Sequence, residues 1–498
     1  MDTDLPLLSL LIFGPFLGTT LIWLVRDESQ VRVIALATVL LDLLLALRVL
    51  WQFDASRSGF QLLERAEWIS SLPIQYTVGI DGISVLFLPL TVLLFAGVIL
   101  GSWRNIRSMP RLYYSMLLLL MCATLGIFSS LNTLLFFLFW ELTLVPIYFL
   151  ISLWGIGPNR RYAAVKYILI MLAGGVPLLF GILLLAFNQA AVSGVAVPAG
   201  LVFDYIHLLN NPLPADMQTT IFLLLLLGFA VKIPVFPLHT WLPTLAMEGP
   251  VAIAALMTGL KLGVYGLIRF VIPLAPEAAY HFSWLLLGLG VVGVLYGALL
   301  AMSQTNLRCM LAYFSISHVG LVVLGVASFT PQGLQGALFQ ILNFSFIAGG
   351  LFIFTGWLHR RAGSTDVLSL GGAARSLPIL ASFYMLFGLA ALGMPGTSGF
   401  PAELMLILGV LKSHPGVGVA ALVGMILGAA CFLGIYRRAF MGPLKQKVLA
   451  GAQDLQGREL LLAGALALLV LGLGVYPEAI FQVIRQASEN WIGIVGRV

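Results

Sequence analysis

Residues 135–154 read LFFLFWELTLVPIYFLISLW, twenty residues with one ionisable side chain, Glu141. Apolar and polar positions do not alternate, so this is not a strand with one wet face. At a rise of about 1.5 Å per residue a helix of this length spans ~30 Å, the hydrocarbon thickness of a bilayer. The segment is a membrane-crossing helix that carries a carboxyl group at depth. The rest of the chain repeats the pattern: of 498 residues, 60% are hydrophobic and 9% charged, against about 25% charged in soluble domains. The fold class is an all-α integral membrane protein; a barrel would show short alternating segments instead.

Apolar runs between polar breaks lie near 7–25, 31–51, 83–101, 112–128, 131–153, 165–188, 219–241, 250–272, 283–301, 308–327, 333–358, 377–412, 415–440 and 460–477, which predicts about fourteen transmembrane helices. The first run follows Asp2 and Asp4 rather than a basic segment, so it reads as a span and not a signal peptide. Most basic residues, among them Arg104, Arg160, Arg161, Arg360, Arg361, Arg437 and Arg438, fall in odd-numbered loops. That bias predicts cytoplasmic odd loops and both termini on the non-cytoplasmic side. The polar stretches 52–80 and 190–218 read as loops too short for a core of their own. The basic excess marks topology, so no nucleic acid partner is implied. Cys122, Cys309 and Cys431 stand far apart with no CxxC pair, which argues against zinc, an iron–sulfur cluster or a redox disulfide. Gly288 to Gly293 matches GxGxxG inside an apolar span without a strand before it, and reads as a close-packing face.

Charge at mid-bilayer costs at least ~2.5–3.5 kcal/mol, so each such residue is a functional candidate. Glu141, Lys232, Lys261 and Glu403 lie deepest, with His318 and His239 nearer span ends. Pro234 and Pro237 follow Lys232, while Gly393, Pro395, Gly396 and Gly399 precede Glu403. Both segments should be broken helices, which membranes tolerate where they line a wet cavity. They are the seventh and twelfth spans, five apart, as two inverted five-helix repeats would place them. The expected organisation is 1–111 (helices 1–3), 112–272 (first repeat, helices 4–8), 273–440 (second repeat, helices 9–13) and 441–498 (helix 14 and tail). Burial penalises the charged form of either group and an opposite charge restores it, so a Glu141–Lys232 pair whose separation changes can load and release a proton. Lys261 then serves as relay and Glu403 as terminal carrier.

Blander readings stand beside these. Glu141 and Lys232 can form a structural ion pair, Glu403 can cap the helix after Pro401, and His318 can be a satisfied core histidine. Asp42 reads as facing a neighbouring subunit or a wet span end, Asp81 as a surface-level cap or turn residue, and Arg269 and Arg308 as snorkelling.

The stretches DGISVLF (81–87), WELTLVPIYFLISLWG (140–155), AVKIPVFPLHTWLP (230–243), LKLGVYGLIRF (260–270), QTNLRCMLAYFSISHVG (304–320) and MPGTSGFPAE (394–403) resemble the antiporter-like subunits of complex I, the proton-pumping type I NADH dehydrogenases, in their subunit 4 (chain 4, or M) class. The resemblance covers nearly the whole chain. It implies fourteen helices, two inverted repeats, and proton translocation driven by quinone reduction elsewhere in the complex. Glu141 and Lys232 would be the input pair, Lys261 the central relay and Glu403 the exit residue. It implies no cofactor in this chain, partners among the other membrane subunits, quinone reached only through neighbours, and a bacterial plasma membrane or cyanobacterial thylakoid. The chain departs from the family pattern in places: Thr244, Leu245 and Ala246 stand where the family has Asp-Ala-His, Gly249-Pro250 where it has Ala-Pro, Phe344 in place of a histidine and Asn306 in place of an aspartate. Losing the histidine at 344 removes one titratable step. The alternatives are a subunit of a multi-subunit cation/proton antiporter, a divergent subunit 4 serving a carbon dioxide uptake complex, or a degenerate scaffold.

Overall fold

The computed structural model describes residues 5–69, 71–103, 106–445 and 447–496; Asp2, Asp4 and Arg104 lie outside them. The main helices are α1 (Leu7–Leu24), α2 (Glu28–Gln52), α3 (Phe87–Ser102), α4 (Pro110–Ser129), α5 (Thr133–Leu142), α6 (Leu144–Trp154) and α7 (Arg160–Ser193). There follow α8 (Ala215–Lys232), α9 (Trp241–Glu248), α10 (Val251–Gly259), α11 (Leu262–Gly266), α12 (Ser283–Ser303), α13 (Leu307–Ala327) and α14 (Pro331–Ala362). The chain ends with α15 (Pro378–Ala391), α16 (Gly399–Ser413), α17 (Pro415–Phe440), α18 (Arg458–Val475) and α19 (Glu478–Val495). Among the described residues, 12 helical segments are long and apolar enough to cross a membrane, and α3 and α15 are apolar but shorter.

The central helix is α14, buried along its length. Thr330 caps its start, accepting the Gly333 N–H at 3.1 Å, and Pro331 occupies the first turn, where its missing N–H costs nothing. Gly363, at φ +72°, ends it after a last turn holding His359, Arg360 and Arg361.

The helix breaks have local causes. Pro146 has no N–H for the Leu142 carbonyl, and α5 gives way to α6 at Thr143. Pro234 and Pro237 end α8, and residues 233–240 run non-helically to α9; the Trp241 indole N–H donates to the Val231 carbonyl at 2.9 Å. Between α15 and α16 the chain unwinds through Gly393 and Gly396, at φ +65° and +87°. A further break separates α10 from α11 at Leu260–Lys261, a position without proline that the sequence reading takes as continuous helix. There the Ser345 hydroxyl donates to the Gly259 carbonyl at 2.7 Å. Beyond α11, Leu267–Val271 form a π-helical turn. Pro273 supplies no N–H to that turn, and its Ile268 and Arg269 carbonyls accept instead from the Trp491 indole (2.7 Å) and the Tyr205 hydroxyl (2.5 Å).

Several expectations are corrected. The 52–80 stretch holds an antiparallel hairpin, Gln61–Ile69 with Ile74–Ile80, whose Glu64 carboxylate accepts the Leu8 and Ser9 N–H groups at the start of α1 (2.7 and 3.0 Å). The tail after helix 14 is a helix, α19, that buries Ile480, Ile484, Trp491 and Val495 on one face. Asp42 faces neither water nor a neighbour: it is 2% exposed and packs against Gly14 of α1. Arg269 does not snorkel. It forms a buried two-toothed ion pair with Asp81, ringed by Phe60, Tyr205 and Tyr265 at 5.2–5.8 Å. Asp81 also caps its own turn, accepting the Ile83 and Ser84 N–H groups at 3.1 Å. Arg308 is likewise buried. The glycine motif of α12 does act as a packing face, with Gly290 and Gly293 against Gly320 of α13, although Gly288 meets open space.

Removing one partner of a buried pair leaves an uncompensated charge, so Asp81→Asn is expected to cost about 3 kcal/mol or more. Asp81→Asn with Arg269→Gln should cost less than Asp81→Asn alone. Thermal denaturation of the detergent-solubilised assembly checks the order.

Candidate proton-transfer site

Two groups of polar side chains, the first half-buried and the second buried, form where helices break. In the first, Glu141 lies in the last turn of α5 and its carboxylate lies against Gly175 of α7, where a Cβ would collide with it. Its Oε1 is enclosed without a hydrogen-bond partner among the described residues. Lys232, the last residue of α8, donates to the Thr143 hydroxyl at 3.0 Å and lies 3.8 Å from the centroid of the Trp140 ring. Thr143 in turn donates to the Trp140 carbonyl at 2.7 Å. The lysine is thus held at the α5–α6 break itself, and Glu141 forms no ion pair within 4.0 Å among the described residues. The expected pair is side by side and open.

His239 sits in the unwound 233–240 segment, 3% exposed, edge-on to Tyr296 at 5.2 Å, with Nδ1 enclosed and unpartnered among the described residues. Next to it the Lys166 ammonium donates to the Thr240 carbonyl (3.0 Å) and the Thr244 hydroxyl (2.9 Å). Where the resemblance implies an aspartate at 244, this lysine has a neutral partner.

In the second group Lys261, at the α10–α11 break, donates to Ser315 of α13 at 2.5 Å and lies 5.2 Å from the Phe344 ring centroid. His318, one turn after Ser315, stacks on that ring at 4.2 Å. Its Nδ1 is 2.9 Å from the Phe314 carbonyl, and its Nε2 is 2.9 Å from the Ala391 carbonyl and 3.6 Å from Glu403 Oε1. A neutral imidazole has one N–H, so one of these acceptors goes unserved unless the ring holds a second proton.

Glu403 does not cap α16, which starts four residues earlier at Gly399. It is 4% exposed; Oε1 accepts from the Gln340 amide at 3.1 Å, and Oε2, unpartnered among the described residues, faces Gly393. Gln340 Oε1 accepts from Asn343 at 3.2 Å, and Asn343 Oδ1 accepts from the Ser398 hydroxyl.

The structure therefore brings Lys261 and His318 to Phe344 with Glu403 beyond His318, sets Glu141 beside Lys232, and leaves His239 apart from both. Sequence reasoning missed the neutral members, Thr143, Ser315, Asn343 and Ser398. For Gln340 and Asn343 a signal existed: two amides three residues apart in an apolar span must find partners when buried. Titratable groups alternating with hydroxyls and amides can pass protons; no nucleophile–base arrangement accompanies them among the described residues.

A family model described as NADH:quinone oxidoreductase/Mrp antiporter, TM, matches residues 130–428, a stretch that holds all six titratable side chains. The NADH-quinone oxidoreductase subunit M of Rickettsia conorii is 34% identical over 496 residues, covering 98% of this chain and 99% of that protein. A Synechococcus protein, NAD(P)H-quinone oxidoreductase chain 4 1, is 37% identical over 491 residues, covering 96% of this chain and 91% of that protein. A chain in the structure of respiratory complex I from Thermus thermophilus with bound NADH superposes with a TM-score of 0.89 at 31% identity, over 98% of this chain and 100% of that one. The chain belongs to the NADH:quinone oxidoreductase/Mrp antiporter family, as an antiporter-like membrane subunit of the subunit M, or chain 4, type.

Proposed function

We propose that the chain translocates protons as a membrane subunit of a complex I type NAD(P)H or ferredoxin:quinone oxidoreductase, with the redox chemistry performed by other subunits. One observation carries this reading: Glu141, Lys232, Lys261 and Glu403 each sit at or against a helix break. A membrane protein bears the cost of a buried charge and of broken backbone hydrogen bonds together only where both serve the same path.

In this reading Glu141 and Lys232 take up the proton. Their open spacing, with Thr143 holding the ammonium, lets a small shift of α5 against α8 change the attraction between them. Lys261 receives the proton, and Ser315 and His318 carry it past Phe344 to Glu403, the exit carrier. His239 feeds the uptake side. The unwound 233–240 and 392–398 segments occupy corresponding places in two inverted repeats, 112–272 and 273–440. Counting α3 and the paired segments α5–α6, α8–α9, α10–α11 and α15–α16 as single spans, about fourteen helices cross the membrane. Both termini then lie on the non-cytoplasmic side of a bacterial plasma membrane or a thylakoid.

Lys232→Ala or Glu141→Ala is expected to lower proton translocation by the assembly about a hundredfold or more, the range of a lost proton-transfer group, while the complex stays assembled. Normal proton uptake in either variant removes the uptake role, and an unchanged proton-to-electron ratio in Glu141→Gln with Lys261→Ala would select a scaffold instead. Sodium-dependent exchange without quinone reduction would select the antiporter reading.

Gly393 provides a separate handle. A Cβ there collides with the Glu403 carboxylate at a backbone φ of +65°, and the left-handed conformation alone costs a side chain about 1 kcal/mol. Gly393→Ala should slow proton release while leaving the quinone reductase activity of the uncoupled enzyme intact. Proton pumping and uncoupled turnover, measured on the same vesicles, check the split.

A further inference from the structure

Four arginines meet at one open cavity of about 780 Å³ where α3 and α14 end and α18 begins. Their charge is only partly balanced. One carboxylate, Glu459, is shared by Arg360 and Arg361. The cavity's other acid, Asp454, is spent elsewhere: its oxygens accept the Ile379 and Leu380 N–H groups at the start of α15, at 2.6 and 3.1 Å. Arg361 is saturated, since it also donates to the Gln453, Asp454 and Trp357 carbonyls at 2.7–3.3 Å. Arg107 and Arg458 have no carboxylate within 4.0 Å among the described residues, and the Arg458 guanidinium carbon lies over the Trp103 ring, 5.1 Å from its centroid. An open cavity therefore presents two uncompensated guanidiniums and the free N–H groups of Arg360.

Its level in the membrane is set by the same residues. Trp103 and Trp357 line it at the ends of apolar helices, the depth of lipid headgroups. From there α18 runs into the hydrocarbon with little cover. Leu461, Leu468 and Val475, spaced seven apart on one helix face, are 69%, 74% and 76% exposed. A cationic pocket at headgroup depth continues into an apolar stripe.

We propose that this cavity binds the headgroup of an anionic phospholipid, with Arg107, Arg360 and Arg458 on the phosphate oxygens and the acyl chains along the Leu461–Leu468–Val475 stripe. Guanidinium suits the task because its planar fork matches phosphate. A zwitterionic lipid brings its own cation into the same pocket and is disfavoured. A free phosphate ion satisfies the arginines but leaves the stripe bare, so the apolar part of the site separates the two sources.

The test uses the intact assembly in nanodiscs of phosphatidylcholine with or without phosphatidylglycerol. Bound lipid per chain is counted by native mass spectrometry and affinity is read with a spin-labelled phosphatidylglycerol. The unaltered chain should retain one more phosphatidylglycerol than Arg107→Gln with Arg458→Gln, whose affinity should fall about thirtyfold, about fivefold for each guanidinium near the membrane surface. Should the double variant fail to assemble, the exposed Arg107→Gln alone carries the test, with its fivefold loss. Equal retention by the variant, equal retention of phosphatidylcholine, or displacement of the labelled lipid by inorganic phosphate would each overturn the proposal, the last in favour of a free-anion site.

Discussion

Hydrocarbon offers no hydrogen bonds, so a peptide group or charge that this chain places at depth is costly unless it finds a partner inside the protein. That constraint explains why the helix breaks and the ionisable side chains coincide. A break frees carbonyls; a side chain that satisfies one is held there, and its own charge or hydroxyl is thereby fixed at depth. Ser345 answers Gly259 at the Lys261 break, Trp241 answers Val231 below Lys232, and His318 Nε2 lies 2.9 Å from the Ala391 carbonyl ahead of the unwound 392–398 segment. Side chains such as these, with His318 of the proposed path among them, make the broken helices tolerable. A substitution that removes one of them therefore acts on packing as well as on proton transfer, which is why conservative exchanges and separate readouts of assembly are informative here.

The carboxylates obey a related rule. Asp42, Glu141 and Glu403 each keep an oxygen without a partner among the described residues, and each faces a glycine, Gly14, Gly175 and Gly393, where a Cβ would collide with it. Glycine leaves room beside a carboxylate without supplying a donor that would hold it as an anion. Glu403 differs from the other two in having the Gln340 amide on its second oxygen and His318 at 3.6 Å. Asp42 shares the glycine but lies between unbroken helices, with no basic side chain paired to it among the described residues. The same local geometry thus recurs at two places on the proposed path and at a helix interface in the third; what separates them is the break alongside.

How much of this the sequence reveals follows from the range of each cause. Spans, the four deep charges, and the breaks after Lys232 and before Glu403 were legible because proline, glycine and a charge in an apolar run act on the residues beside them. The break at Leu260–Lys261 was not, since the hydroxyl that permits it comes from Ser345, on another helix. Nor was the Asp81–Arg269 pair: its members are 188 residues apart, and each alone resembles a residue that belongs at a helix end. The hairpin was hidden because its strands read as polar loop when judged by length and polarity rather than by the alternation within them. Polar partners separated by whole helices are what a linear reading loses, and they are the second half of the site.

Phe344 shows what such a partner changes. Where the resemblance implies a histidine, the phenyl ring stacks on His318 at 4.2 Å and lies 5.2 Å below the Lys261 ammonium. It offers the cation an attraction of about 0.5–2 kcal/mol, comparable to a hydrogen bond, but no lone pair to accept its proton. The departure therefore keeps the lysine in place while closing the shortest ring-to-ring relay. Of the two neighbours that remain, Ser315 can both accept from the ammonium and donate onward, and His318 already reaches toward Glu403. In the proposed path a single apolar residue in the axis would thus move the transfer step from α14 to α13 without dismantling the site, because α13 carries both Ser315 and His318 one turn apart.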